Sequence, residues 1–133
     1  MEHVATQPKL KVLIVEDSAV VAARIMRMLN ELEEITVVGE AMNSKEAMII
    51  TRVMSPDVVF LDISIPGKSG IHVLTEIKQN YPNTKVVMLT NYSESYYRNL
   101  CDDLGADSFL DKSTEFEKIP DVLSSLVKFK IHP

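Results

Sequence analysis

Five short apolar runs, near residues 10–15, 35–41, 57–62, 84–90 and 106–111, alternate along the chain with five helix-like segments near 18–30, 44–55, 70–80, 94–104 and 115–130. That alternation constrains the fold more than any other feature. Parallel strands need long crossovers, the crossovers keep one hand, and the intervening helices then cover both faces of the sheet. Near-continuous apolar strands such as Val86-Val87-Met88-Leu89 fit burial on two sides. The expected fold is α/β: a doubly wound, five-stranded parallel sheet with five helices, taken in the order 2-1-3-4-5, which makes strands one and three neighbours.

Local punctuation supports these boundaries. Ser18 or Asp17 can cap the first helix, Asn43-Ser44 the second and Ser93 the fourth, while Pro56 and Pro82 stop helices before strands three and four. Gly105 is expected to end a helix with φ > 0, and Pro120 moves the effective start of the last helix to near Lys118. In the first helix Val21, Ile25, Met28 and Leu32 are spaced to face the sheet, and the surplus of Ala19, Ala22, Ala23 and Met26 suggests either a docking surface or simply good helix formers.

With 133 residues, the chain fits one domain that buries roughly two-thirds of its unfolded surface without disulfides or a structural metal. Residues 9–130 are assigned to it, with 1–8 as a flexible tail, 131–133 as a second tail, and no output domain. A formal charge of −5 without a basic cluster argues against direct nucleic-acid binding, which needs Lys and Arg to displace counterions. Cys101 stands alone and is expected to be a plain free thiol. Neither a secretory leader nor an 18-residue apolar span is apparent, so a cytoplasmic location without membrane insertion is expected.

Charge at the strand ends points to chemistry. Val58-Val59-Phe60-Leu61 runs into Asp62, Val12-Leu13-Ile14-Val15 into Glu16-Asp17, and Ser108-Phe109-Leu110-Asp111 into Lys112, while Thr90 ends strand four. In an open doubly wound sheet these positions share the ligand crevice beyond the carboxyl ends of the strands. Three carboxylates facing one ammonium are costly when partly desolvated, and a divalent cation relieves that cost. Hard oxygen donors favour Mg²⁺, which keeps several waters and bridges to phosphoryl oxygens. Such a set suits phosphoryl transfer to a carboxylate: Asp62 attacks phosphorus, Mg²⁺ and Lys112 neutralise the transferring oxygens, and the Thr90 hydroxyl donates to one of them.

These residues, in this order on these elements, make residues 9–130 resemble the response-regulator receiver domains of bacterial two-component signalling, with their flavodoxin-like, CheY-like fold. The acidic pair Glu16-Asp17, Asp62 with Pro66-Gly67 behind it, Thr90 and Lys112 carry the resemblance, and Phe109, three residues before Lys112, matches the family's aromatic switch position. The resemblance implies Asp62 as phosphoacceptor, Asp17 as a direct Mg²⁺ ligand, Glu16 as an acid holding metal-bound water, and Ser64 as a ligand through its backbone carbonyl. It also implies that Thr90 moves toward the phosphoryl group and Phe109 turns into the vacated space, unless Phe109 is only a core residue. Asn91 departs from the small residue usual after the switch Thr, and with Ser64 and Tyr92 it is expected to tune phosphoryl lifetime.

The family further implies a sensor histidine kinase or histidine phosphotransfer protein as donor, self-catalysed phosphorylation rather than ordinary enzymatic turnover, and signalling through the surface of helix four, strand five and helix five. Only 21 residues follow Lys112, so a stand-alone switch is expected, acting on a downstream protein, by onward phosphorelay or as a homodimer through that surface. The alternatives are a receiver piece of a longer DNA-binding regulator, a receiver working unphosphorylated, a phosphohydrolase with an Asp62 nucleophile, and a flavin- or nucleotide-binding protein. The phosphohydrolase is disfavoured because Ser64 stands where a second carboxylate often lies, and the nucleotide site because Glu16-Asp17 repels phosphate.

Overall fold

The structure, a computed structural model, describes residues 9–131; the expected N-terminal tail and the last two residues lie outside them. Strands β1 (Leu10–Val15), β2 (Ile35–Ala41), β3 (Val58–Leu61), β4 (Lys85–Thr90) and β5 (Ser108–Asp111) alternate with helices α1 (Ala19–Asn30), α2 (Ser44–Met54), α3 (Gly70–Asn80), α4 (Ser95–Asp103) and α5 (Ile119–Ile131). All pairings are parallel and the order is β2-β1-β3-β4-β5, as expected from the alternation.

Each central strand feeds two cores because successive side chains point to opposite faces. Val12, Ile14, Val58, Phe60, Val87 and Leu89 pack under Ile25 and Leu29 of α1 and Ile119 and Leu123 of α5. Leu13, Val15, Val59, Leu61, Val86 and Met88 pack under Ala47 of α2, Val73, Leu74 and Ile77 of α3, and Cys101 of α4. Burying one such Leu, Ile or Phe side chain contributes about 1.5–3 kcal/mol, so two filled layers leave the strand ends little freedom to move.

Helix boundaries follow the chemistry of their first residues. Ser18 caps α1 by accepting the Val21 N–H (3.3 Å), and Asn43 caps α2 by accepting that of Glu46 (2.9 Å), whose own carboxylate accepts from the Met42 N–H (2.8 Å). Asn43→Ala should therefore cost about 1 kcal/mol, measurable as a lower urea midpoint at unchanged slope. Ser93 does not cap α4: Glu94 takes the N-cap position without a side-chain bond, and the Ser93 hydroxyl instead donates to Asp111. Gly105 has the expected positive φ of 99°. A single 3₁₀ turn, Phe116–Lys118, precedes α5, which places Pro120 in the first helical turn, where its missing N–H costs nothing.

The residues expected to face the sheet from the first helix, Val21, Ile25, Met28 and Leu32, all pack against the core. The fully buried stripe of α1 is Ala22, Ile25 and Leu29, and Val21, Met28 and Leu32 flank it half-buried. Ala22 thus belongs to the core, not to a docking surface. Ala19, Ala23 and Met26 do line an open groove of about 490 Å³ beside Glu16, and Val20 beyond it is 80% exposed.

Candidate functional site

Register brings the ionic groups together. Val15 pairs with Leu61, so the next residues, Glu16 and Asp62, emerge side by side, and the Asp62 N–H donates to the Val15 carbonyl (3.3 Å). Thr90 pairs with Asp111, and the Lys112 N–H donates to the Thr90 carbonyl (2.8 Å), which starts the Lys112 side chain back across the sheet. Its ammonium bridges Asp62 Oδ2 (2.6 Å) and Glu16 Oε1 (2.8 Å). Carboxylate oxygens of Glu16, Asp17 and Asp62 all lie within 4.8 Å of one another. Glu16, Asp62 and Thr90 are buried, Lys112 is half-buried, and Asp17 is exposed.

The backbone behind Asp62 is held by contact. Gly70, the first residue of α3, donates to the Ile63 carbonyl (2.8 Å), and a Cβ added there would overlap the Asp62 carbonyl oxygen. Only glycine lets α3 start this close. The Ser64 N–H donates to Asp62 Oδ1 (3.2 Å), so one carboxylate oxygen faces a backbone dipole and the other an ammonium.

Electrostatics favour the charged form of Lys112. Burial pulls the Lys112 pKa down, but hydrogen bonds to Asp62 and Glu16, and their charge, outweigh it and leave the group above its ordinary 10.5. Lys112 is therefore an ammonium at neutral pH, facing three carboxylates. The residual negative charge and the all-oxygen donor set fit a small hard dication such as Mg²⁺, with Glu16, Asp17 and Asp62 as the side chains able to hold it.

Three further bonds stitch together the two loops beside the site, and the sequence pattern did not reveal them. Ser113 Oγ donates to Asn91 Oδ1 (3.0 Å), the Ser93 hydroxyl donates to Asp111, and Arg98 Nη2 donates to Glu115 Oε1 (2.6 Å). Asn91 and Tyr92 are both exposed: Asn91 is turned to Ser113, and Tyr92 reaches Thr90 through its backbone N–H, which donates to the Thr90 hydroxyl oxygen (3.2 Å). Phe109 is half-buried against the α3–α4 core layer, with the Arg98 guanidinium 4.8 Å from its ring centroid. Cys101 is a free thiol buried within α4, and burial pushes its pKa up, which keeps it unreactive.

The Arg98–Glu115 contact carries a pH signature. The hydrogen bond from Arg98, then those from the Asp111 N–H and Lys118, lower the Glu115 pKa from 4.5 to about 2. A depressed folded-state pKa gives stability that is complete above the unfolded value and lost as pH falls from 4.5 toward 2. Because the pair is partly solvated, the loss should be about 1 kcal/mol at most. Urea melts of wild type and Glu115→Gln should differ at pH 6 and converge near pH 2.5.

Over residues 12–124 the sequence matches the family model described as the response regulator receiver domain. The chain belongs to that family. This receiver is 37% identical over 116 residues to the response regulator protein VraR of Staphylococcus epidermidis, covering 86% of the chain and 54% of VraR. It thus spans about half the length of the curated relatives it matches. Among solved structures, the isolated receiver of RcsB from Salmonella enterica serovar Typhimurium, determined with the phosphomimetic BeF3⁻, superposes with a TM-score of 0.86 at 25% identity, covering 90% of this chain and 89% of that one. The CheX–CheY–BeF3⁻–Mg²⁺ complex of Borrelia burgdorferi gives 0.83 at 25% identity, with 90% of each chain covered. Among the described residues, no helix of the receiver is long and apolar enough to cross a membrane.

Proposed function

We propose that this receiver takes a phosphoryl group onto Asp62 from a phosphohistidine on a sensor histidine kinase or phosphotransfer protein, and transmits it as a change in the α4–β5–α5 surface. The observation that carries this is Asp62 itself: a buried carboxylate at the mouth of the sheet, with an ammonium at 2.6 Å and two further carboxylates within 4.8 Å. An Asp62 oxygen forms the new bond to phosphorus while the histidine N–P bond breaks, its electron pair returning to the imidazole, which is protonated as it leaves. Lys112 keeps its charge and follows the oxygen it already touches onto the phosphoryl group; the Thr90 hydroxyl, whose oxygen accepts from Tyr92, has its proton to donate.

Asp17, Asp62 and the Ser64 carbonyl, with Glu16 beside them, would hold Mg²⁺, which would supply charge neutralisation during transfer. The CheY neighbour, solved with BeF3⁻ and Mg²⁺, supports that assignment. Turning of Thr90 and Phe109 then carries the signal to the α4–β5–α5 surface, where a target protein, a next phosphotransfer partner or a second receiver docks. The Ala19–Ala23–Met26 groove of α1 opens beside Glu16, which suits it to the donor protein.

A second reading of the output has two observations in its favour. The chain covers 54% of VraR, and a structure of RcsB described by its DNA interaction superposes with a TM-score of 0.86 at 25% identity; in this reading the same phosphorylation governs a longer, DNA-binding regulator. The site chemistry is common to both readings and is tested by intact mass after incubation with acetyl phosphate and Mg²⁺, using Asp62→Ala as the control. An equal mass gain in wild type and variant would contradict the assignment.

A further inference from the structure

Arg98 makes four contacts that join three elements. From α4 its Nε donates to the Ser93 carbonyl (3.3 Å), its Nη1 to the Phe109 carbonyl on β5 (3.3 Å), and its Nη2 to Glu115 beyond β5 (2.6 Å), while its guanidinium stacks on the Phe109 ring. Glu115 is itself fixed. The same Oε1 accepts the Asp111 N–H (2.9 Å) and Oε2 accepts from Lys118 (3.0 Å), so the carboxylate braces the turn that holds Lys112. A planar guanidinium can satisfy a carbonyl, a carboxylate and a ring face together; a lysine ammonium cannot.

We infer that Arg98 is a positioning residue, a latch that holds Phe109 beneath its guanidinium and pins α4 to the β5–α5 loop through Glu115, so that the resting receiver is favoured until Asp62 is phosphorylated. The inference rests on the proposed coupling of Thr90 and Phe109 to Asp62. Movement of the Phe109 ring requires loss of the stacking contact, and displacement of α4 requires loss of the Glu115 bond. Both therefore oppose the switch, although neither touches the phosphoryl group. Conversely, a variant lacking the latch starts closer to the switched state and should accept phosphoryl groups faster, because a larger fraction of its molecules is already in the switched arrangement when the donor arrives.

The test uses the protein labelled with ¹³C on its phenylalanine rings, in wild type, Arg98→Ala, Arg98→Lys and Glu115→Gln. Without phosphoryl donor, Arg98→Ala should move the Phe109 ring resonances toward their position in the BeF3⁻–Mg²⁺ form and raise the rate of mass gain from acetyl phosphate on the order of tenfold, the change that about 1.4 kcal/mol makes in an equilibrium. Arg98→Lys should resemble Arg98→Ala for the ring and only partly restore the rate. Glu115→Gln, which keeps size, should shift the rate with a smaller ring change. Ring resonances and rates that stay at wild-type values in all three variants, with only the melting temperature lowered, overturn the latch. A wild type that gains no mass refutes phosphorylation at Asp62 instead, and the ring resonances of the unphosphorylated variants still decide whether Arg98 holds Phe109.

Discussion

In Asp62→Ala, acetyl phosphate and Mg²⁺ should leave the intact mass unchanged, whereas the wild-type chain should gain one phosphoryl group. The effect should be all-or-none, because the variant lacks the proposed nucleophile and not a group that tunes it. Other carboxylates lie close, but Glu16 is held by Lys112 at 2.8 Å and by the Ser18 N–H at 3.0 Å, and Asp17 is exposed to water. Neither replaces an oxygen presented at the end of β3 between an ammonium and the Ser64 N–H. The variant remains folded, since Lys112 keeps Glu16 as a partner and the local negative charge falls by one. Circular dichroism matching wild type, together with a flat mass spectrum, is the expected pair of results; a mass gain of one phosphoryl group in the variant removes Asp62 from its role.

How much of this site was legible in the sequence depends on the range of each interaction. Glu16, Asp17, Asp62, Thr90 and Lys112 could be grouped because each ends an apolar strand, and parallel strands bring their carboxyl ends to one edge. Strand register was needed to learn that Lys112 spans both Glu16 and Asp62, and that Glu16 is buried while its neighbour Asp17 is not. Ser93 was misread as a cap because its hydroxyl is drawn to Asp111, 18 residues away, and no local pattern reports that. The pairing of Arg98 with Glu115 gave no signal either: the two lie 17 positions apart on different elements, and no local pattern joins them. In α1 the spacing of Val21, Ile25, Met28 and Leu32 fixes that a face exists, and all four pack against the core, yet the apolar neighbours Ala22 and Leu29 leave its centre undetermined within one residue.

Lys112→Ala should be the most destabilising change at the site, and Mg²⁺ should reverse much of it. Without the ammonium, Glu16 and Asp62 stay buried and Asp17 nearby, with no other ion pair to them among the described residues. Breaking a buried pair by removing one partner costs about 3–5 kcal/mol, and the 12% exposure of the Lys112 side chain places this case toward the lower end. Urea denaturation in EDTA should therefore show a loss of about 3 kcal/mol relative to wild type. Adding Mg²⁺ stabilises any state that binds it, and binding should be tighter in the variant because no ammonium competes for the same oxygens. The Mg²⁺-dependent rise in unfolding midpoint should accordingly be larger in Lys112→Ala than in wild type, an inversion that a purely packing role for Lys112 does not produce. Phosphoryl uptake should persist at a reduced rate, since Asp62 and its oxygen neighbours remain, but the phosphorylated variant should show less displacement of the α4–β5–α5 resonances, because the group that ties the β5–α5 loop to the phosphoryl oxygens is gone. Equal midpoint shifts with Mg²⁺ in the two proteins, together with undiminished resonance changes on phosphorylation, would assign Lys112 to neither charge balance nor switching.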